Sequence, residues 1–232
     1  MEPEIKDLQN FLNKMGAKVE GAGTNVIKIT GVKKLKDVSY NIMPDRIEAG
    51  TFLCAAGITG GKLQLNNVVP QHIGPIINKL EECGCKFQIE KNSVMIDSPK
   101  RLKSLDIKTM PYPGFPTDMQ SVFVAMLCTS KGTSVVVENI FENRYRFTNE
   151  LKRMGAKINI EGKIAIIKGV RKLDGATVEA TDLRGGAAVV IAGLVAKGKT
   201  RVNNIEYILR GYENLDKKLN KIGANIKAEK NK

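Results

Sequence analysis

The 232-residue chain contains no tryptophan, and only 5% of its residues are aromatic. Those few do not interleave with basic clusters, so the stacking platforms on which nucleic acids rest are missing. Nucleic acid is therefore not an expected partner, although the formal charge is +13 and the pI near 9.6. Acidic residues are the minority, 24 against 37 basic ones. The lysines are scattered over every segment, which suits a solvated surface or an enzyme handling anionic substrates. Histidine is nearly absent, and His72 is the single example. The four cysteines are Cys54, Cys83, Cys85 and Cys128. Cys83-Gly84-Cys85 is too tight for the usual zinc pair and no second pair follows, so no metal is expected. Reduced thiols and a cytoplasmic location are the expectation. No apolar run reaches the roughly 18 residues of a membrane span. The N-terminus, Met1-Glu-Pro-Glu-Ile-Lys-Asp7, is charged from the start, unlike a secretory leader. No membrane partner is expected.

Apolar residues make up 42% of the chain, enough for a substantial core. They are arranged in repeats. Leu12–Val19, Leu80–Phe87, Leu151–Ile158 and Leu219–Ile226 each show a leucine, a glycine four residues later and an apolar residue three beyond that. The glycine sits where the end of a helix takes a left-handed residue, and a short strand is expected after it. A second set of segments runs in step. Asp45, Asp118 and Asp182 each open an apolar run rich in small residues. These runs are apolar nearly all round and predict buried helices. Strands are expected at Lys62–Asn66, Thr133–Glu138 and Thr200–Asn204, with one wet face each. One unit reads as buried helix, strand, surface helix, strand, strand. Three units fill the chain from about Asp45 onward, and three copies packed through their apolar helices predict a closed core with sheets outside. Residues 1–43 hold only the tail of such a unit: a helix over Ile5–Met15 and strands over Val26–Thr30 and Ser39–Ile42. The chain thus reads as beginning in the middle of a larger arrangement.

Between the first and second units lies Pro111-Tyr-Pro-Gly-Phe-Pro-Thr-Asp-Met-Gln120. Three prolines and a glycine within six residues exclude helix and central strand, and predict a stiff, shaped loop. The loop ends at Thr117 and Asp118, both good helix N-caps. Asp118 is therefore either a cap, like Asp45 and Asp182, or an acid or base positioned by the proline-rich approach. Gly185-Gly186 at the start of the third buried helix is open to two readings, a phosphate cradle or close helix packing.

Several of these segments carry a family resemblance. Glu2–Ile5, Pro44–Glu48 with Gly50–Phe52, the Pro111–Gln120 loop, Ile140-Phe-Glu-Asn-Arg144, Ala180–Arg184 and Arg210-Gly-Tyr-Glu213 resemble the enolpyruvyl transferases. Within that family they are most similar to the UDP-N-acetylglucosamine 1-carboxyvinyltransferases of peptidoglycan synthesis. The resemblance implies an α/β fold of the inside-out α/β barrel type, with two similar domains of three units. It also implies a full chain about twice this long. Residues 1–43 would be the last piece of the first domain, and residues 44–232 the bulk of the second. The implied substrates are UDP-N-acetylglucosamine and phosphoenolpyruvate, with no cofactor. Asp118 would be the base and a sugar-hydroxyl contact, and Ile140 would meet the UDP-sugar through its main chain. Arg184 and Arg210 would grip phosphoenolpyruvate, and Arg144 would support the phosphate site or the contact between domains, with Glu142 orienting it. The cysteine loop and phosphoenolpyruvate-binding residues of the family's first domain have no counterpart here. The chain alone is thus expected to be inactive and to need the missing N-terminal half. The alternative is a non-catalytic half that binds substrate or assembles with a separate first-domain chain or with itself.

Overall fold

The computed structural model describes residues 1–229. Helix α1 (Pro3–Lys14) and the antiparallel pair β1 (Lys18–Glu20) and β2 (Lys28–Thr30) open the chain. The first full unit then comprises α2 (Arg46–Thr59), β3 (Lys62–Asn66), α3 (Gly74–Glu82), β4 (Lys86–Ile89) and β5 (Ser93–Asp97). The second is introduced by β6 (Ile107–Lys108) and comprises α4 (Gln120–Leu127), β7 (Thr133–Val137), α5 (Thr148–Arg153), β8 (Lys157–Glu161) and β9 (Ile164–Lys168). The third is introduced by β10 (Leu173–Asp174) and β11 (Thr177–Glu179). It comprises α6 (Leu183–Gly193), β12 (Ala196–Lys197), β13 (Arg201–Asn203), α7 (Glu206–Leu209) and α8 (Leu215–Lys221).

The apolar composition of α2, α4 and α6 decides the architecture. Every residue from Ala49 to Ile58 is buried, and so is every residue of α4. Such helices have no face to offer water, so they pack on one another, and all three mutual contacts are formed. Leu53, Phe123, Val189 and Ile191 from these helices are completely buried. The sheets lie outside this helical centre. One is antiparallel in the order β3-β5-β4, and the next runs β6-β7-β9-β8 with β6 parallel to β7 and the other pairs antiparallel. Their strands alternate in exposure, as in Thr133–Val137, where Ser134 and Val136 point inward. The glycine repeat marks the helix ends as expected: Gly16, Gly84, Gly155 and Gly223 have φ of +97°, +99°, +89° and +103°.

Two expected strands do not form. Residues 39–42 carry no strand, and none follows Gly223 among the described residues. A strand needs a partner for its N–H and C=O groups, and no described strand pairs with either stretch; Ser39 and Tyr40 are tied to α1 by side chains, Lys14 donating to the Ser39 carbonyl and Tyr40 to Asp7. The extended chain after α8 is held by a side chain instead: Asn220 donates to the Ile226 carbonyl (2.6 Å) and accepts from the Ile226 N–H (2.8 Å). Asn13 does the same for Val19 after α1. Residues 1–43 contribute little to the core, and Ile5, Leu8, Val26, Ile27, Ile29 and Ile42 are exposed. Their main tie to the rest is Arg46, itself buried, whose Nε donates to Glu4 at 2.7 Å.

All four cysteines are free and buried. Burial pushes the Cys83 and Cys128 thiols up to about 12, and the Tyr145 phenol to about 12. An acid whose folded pKa is raised adds stability that is complete below its unfolded pKa and is lost as pH climbs toward the folded one. These groups therefore leave stability unchanged below about pH 8.5 and erode it toward pH 12. Urea unfolding midpoints measured across this range should fall in that window. A thiol reagent at neutral pH should react with the denatured chain and leave the native one untouched. A midpoint that stays level through the alkaline range would contradict the assignment.

Candidate functional site

The proline-rich loop is anchored from within. Phe115 is buried edge-on against Phe123 of α4, with ring centroids 4.9 Å apart. The loop closes on itself through Gly114 N–H to Pro111 O (2.8 Å) and Met110 N–H to Phe115 O (2.9 Å). Tyr112 lies over the Arg46 guanidinium, 5.5 Å from ring centroid to the carbon of the fork, so the loop also touches the residue that ties down α1. The loop then enters a 3₁₀ turn, Thr117–Met119, that leads directly into α4.

That turn removes Asp118 from capping. Met119 N–H donates to Pro116 O and Gln120 N–H to Thr117 O, so one of the donors that a cap at Asp118 would serve, the Gln120 N–H, is already satisfied by backbone. Asp118 makes no cap hydrogen bond, whereas Asp45 accepts from Ile47 and Glu48 N–H and Asp182 from Arg184 and Gly185 N–H. The Asp118 carboxylate is held by two arginines from different units. Oδ1 accepts from Arg144 Nη2 at 2.8 Å, and Oδ2 faces Arg184 Nη2 at 3.4 Å. The Asp118 side chain is 41% exposed, against 20% for Arg144 and 14% for Arg184. The carboxylate therefore lies at a surface opening with the two cations beneath it.

Each arginine is braced on an aromatic ring. Arg144 stacks 4.7 Å from the Phe141 centroid and Arg184 5.5 Å from that of Tyr212. Tyr212 is buried, and its hydroxyl shares a 2.9 Å hydrogen bond with Thr51 of α2. Burial raises the Tyr212 phenol above its ordinary value, with Arg184 pulling the other way. A chain of contacts thus runs from Thr51 through Tyr212, Arg184 and Asp118 to Arg144, linking all three units at one end of the helical centre. Tyr212 and Thr51 fall in the Arg210–Glu213 and Gly50–Phe52 stretches that carry the resemblance, but no role is expected of either from the sequence.

The other expected residues are placed less directly. Arg210 follows α7 and is exposed, and it is in no ion pair among the described residues. The next residue, Gly211, packs so closely on Leu183 that a Cβ would come within 2.7 Å of its side chain, which sets Arg210 beside the start of α6. Ile140 is 39% exposed, and its N–H is engaged by Glu138 Oε1 at 2.8 Å. Glu142 is exposed and does not orient Arg144, because Asp118 holds that guanidinium instead. Gly185-Gly186 is explained by packing. A Cβ on Gly185 would meet Phe147 Cβ at 2.8 Å, and one on Gly186 would meet Ile208 at 2.6 Å, while the Gly185 N–H is already bound to Asp182. No cluster of side chains among the described residues has the composition of a metal site. With two arginines on one carboxylate and a third arginine close by, the site carries excess positive charge and suits an anionic ligand with oxygens at fork spacing.

Comparison with known proteins bears on this arrangement. A family model described as EPSP synthase (3-phosphoshikimate 1-carboxyvinyltransferase) matches residues 1–231. UDP-N-acetylglucosamine 1-carboxyvinyltransferase 1 of Caldanaerobacter subterraneus subsp. tengcongensis is 55% identical over 97% of this chain and 54% of its own length. A UDP-N-acetylglucosamine 1-carboxyvinyltransferase of Desulfofundulus thermocisternus is 57% identical over 95% of this chain and 91% of its own. Among solved structures, the enolpyruvyl transferase NikO from Streptomyces tendae superposes with a TM-score of 0.84 at 25% identity, covering 97% of this chain and 54% of that one. EPSP synthase from Acinetobacter baumannii shares the fold, with a TM-score of 0.72 at 21% identity, over 94% of this chain and 54% of its own. The chain spans about half the length of most of these relatives. Three apolar helices inside with sheets outside are thus the inside-out α/β architecture of the enolpyruvyl transferases, the family to which this chain belongs.

Proposed function

We propose that the chain is the second half of a UDP-N-acetylglucosamine 1-carboxyvinyltransferase, acting in peptidoglycan precursor synthesis in the cytoplasm. On this reading residues 1–43 are the end of a first domain and residues 44–232 most of the second. The observation that carries it is the Asp118 carboxylate, released from capping and held between Arg144 and Arg184. The names of the relatives supply the substrate class. The reaction is addition of the sugar 3-hydroxyl to C2 of phosphoenolpyruvate as C3 takes a proton, and then loss of phosphate from C2 of the tetrahedral intermediate together with a proton from C3. Asp118 accepts the hydroxyl proton, and its exposure leaves it within reach of a bound sugar. Arg184 and Arg210 hold phosphate and carboxylate oxygens, and Arg144 keeps Asp118 aimed. The Ile140 N–H is occupied, so its carbonyl is the main-chain group left to meet the UDP-sugar.

Half a site has no opposing wall and does not exclude water, so this chain alone should release no phosphate from the two substrates. Joined to the first half of the Caldanaerobacter relative, it should turn over, and Asp118→Ala should then lose roughly two to four decades in rate. A loss below about tenfold with the fold intact would reject Asp118 as the base.

The exposed apolar side chains of residues 1–43 favour a second reading, in which the chain pairs with a separate first half or with itself. Light scattering after size exclusion should then show a mass above one chain, alone or with the first half added. A monomer in both cases would reject it.

A further inference from the structure

Glu138 is 1% exposed and has no cationic partner among the described residues, yet it makes four hydrogen bonds. Its Oε1 accepts from Thr109 Oγ1 (2.8 Å), Ile140 N–H (2.8 Å) and Phe141 N–H (3.2 Å). Its Oε2 accepts from Thr117 Oγ1 (2.9 Å). Thr109 in turn accepts from the Asn139 N–H (2.8 Å), and its carbonyl accepts from the Asn139 amide (3.1 Å). A buried carboxylate without a cation is costly and persists when several donors converge on it. Besides Thr109, which belongs to the strand-end stretch just before the loop, these donors fall into two groups. Thr117 is the last residue before Asp118, at the end of the proline-rich loop. Ile140 and Phe141 open the segment whose Phe141 ring and Arg144 fork form the other side of the Asp118 pair.

We propose that Glu138 is the positioning residue of the site. One buried carboxylate fixes both members of the Asp118–Arg144 pair and draws the Phe141 N–H inward, so that the Ile140 carbonyl, on the opposite side of the same trans peptide, faces away from Glu138. Glu138 itself touches no reacting atom. This inference rests on reading the Asp118 cluster as the substrate-handling site, but its geometric content does not depend on turnover. The chemistry predicts an order among variants. Glu138→Gln keeps an oxygen toward Thr109, Ile140 and Phe141 and presents its amide to Thr117, whose hydroxyl is able to accept. Glu138→Ala takes the shared acceptor from the part-buried Ile140 and Phe141 N–H groups and from the buried Thr109 hydroxyl. Thr117→Val removes the strut to the loop alone.

The test is made first on the 232-residue chain, by NMR of the arginine side-chain Nε–H groups together with thermal melting. Arg144 should give a resonance shifted by its ion pair. Thr117→Val and Glu138→Ala should move it to the position of a free arginine, and Glu138→Gln should leave it in place. Arg101, whose Nε donates to the Thr129 carbonyl at 2.9 Å with no bond to the loop, should not respond in any variant. If Glu138→Ala fails to fold, Thr117→Val decides. An unmoved Arg144 resonance in Thr117→Val, or lower melting temperatures with no change at Arg144, would reduce Glu138 to a fold element and overturn the proposal. In the joined full-length chain, Thr117→Val should lower kcat on the order of tenfold to a hundredfold with little change in KM. A parental joined chain without turnover would overturn the transferase reading alone, and the arginine spectra would still decide for or against Glu138.

Discussion

Helices without a polar face leave little room for chemistry along their length. The mutual packing of α2, α4 and α6 buries α4 completely and most of the other two, so polar groups collect at their ends. The ends that matter here are the N-terminal ones. Thr51 reaches Tyr212, Arg184 reaches Asp118, and Tyr112 covers Arg46, all at the same end of the helical centre. The site is thus a by-product of how the core closes. Its residues come from every unit because each unit contributes one helix end.

The ion pairs at Asp118 are not there to hold the fold together. A carboxylate this exposed gains little from arginine partners in water, about 1 kcal/mol or less. The stability of the region comes from Phe115 on Phe123 and from the fully buried α4. What the arginines provide is charge in fixed places. Both are pinned by aromatic rings and partly dried, which strengthens their interaction with any anion that arrives. Such a site trades hydration for order before a ligand binds, which is the condition for efficient electrostatic stabilisation of developing charge.

Much of this was legible in the residues because the signals were periodic and repeated. Apolar runs without a wet face announced the three central helices, and glycines at a fixed offset announced the helix ends. Misreadings arose where the deciding partner is far away in sequence or unknown to a local rule. Residues 39–42 and 224–229 have strand-like composition but no neighbouring strand to pair with. Asp118 has the form of a cap, yet the 3₁₀ turn ahead of α4 takes up the Gln120 N–H, and its side-chain partners lie 26 and 66 residues onward. Glu138 reads as the polar end of a β-branched strand, and only the return of Thr117 and the turn at Ile140 reveal it as a buried acceptor.

The three aspartates show what repetition makes possible. Asp45 and Asp182 remain committed to the first turns of their helices. In the middle copy the chain arrives through a tighter coil, and the backbone closes its own hydrogen bonds. A scaffold built from duplicated parts can release one copy of a residue from maintenance without losing the helix it began with. The diverted copy is then free to acquire partners from its sister units, so the redundancy left by duplication becomes the raw material of a new site.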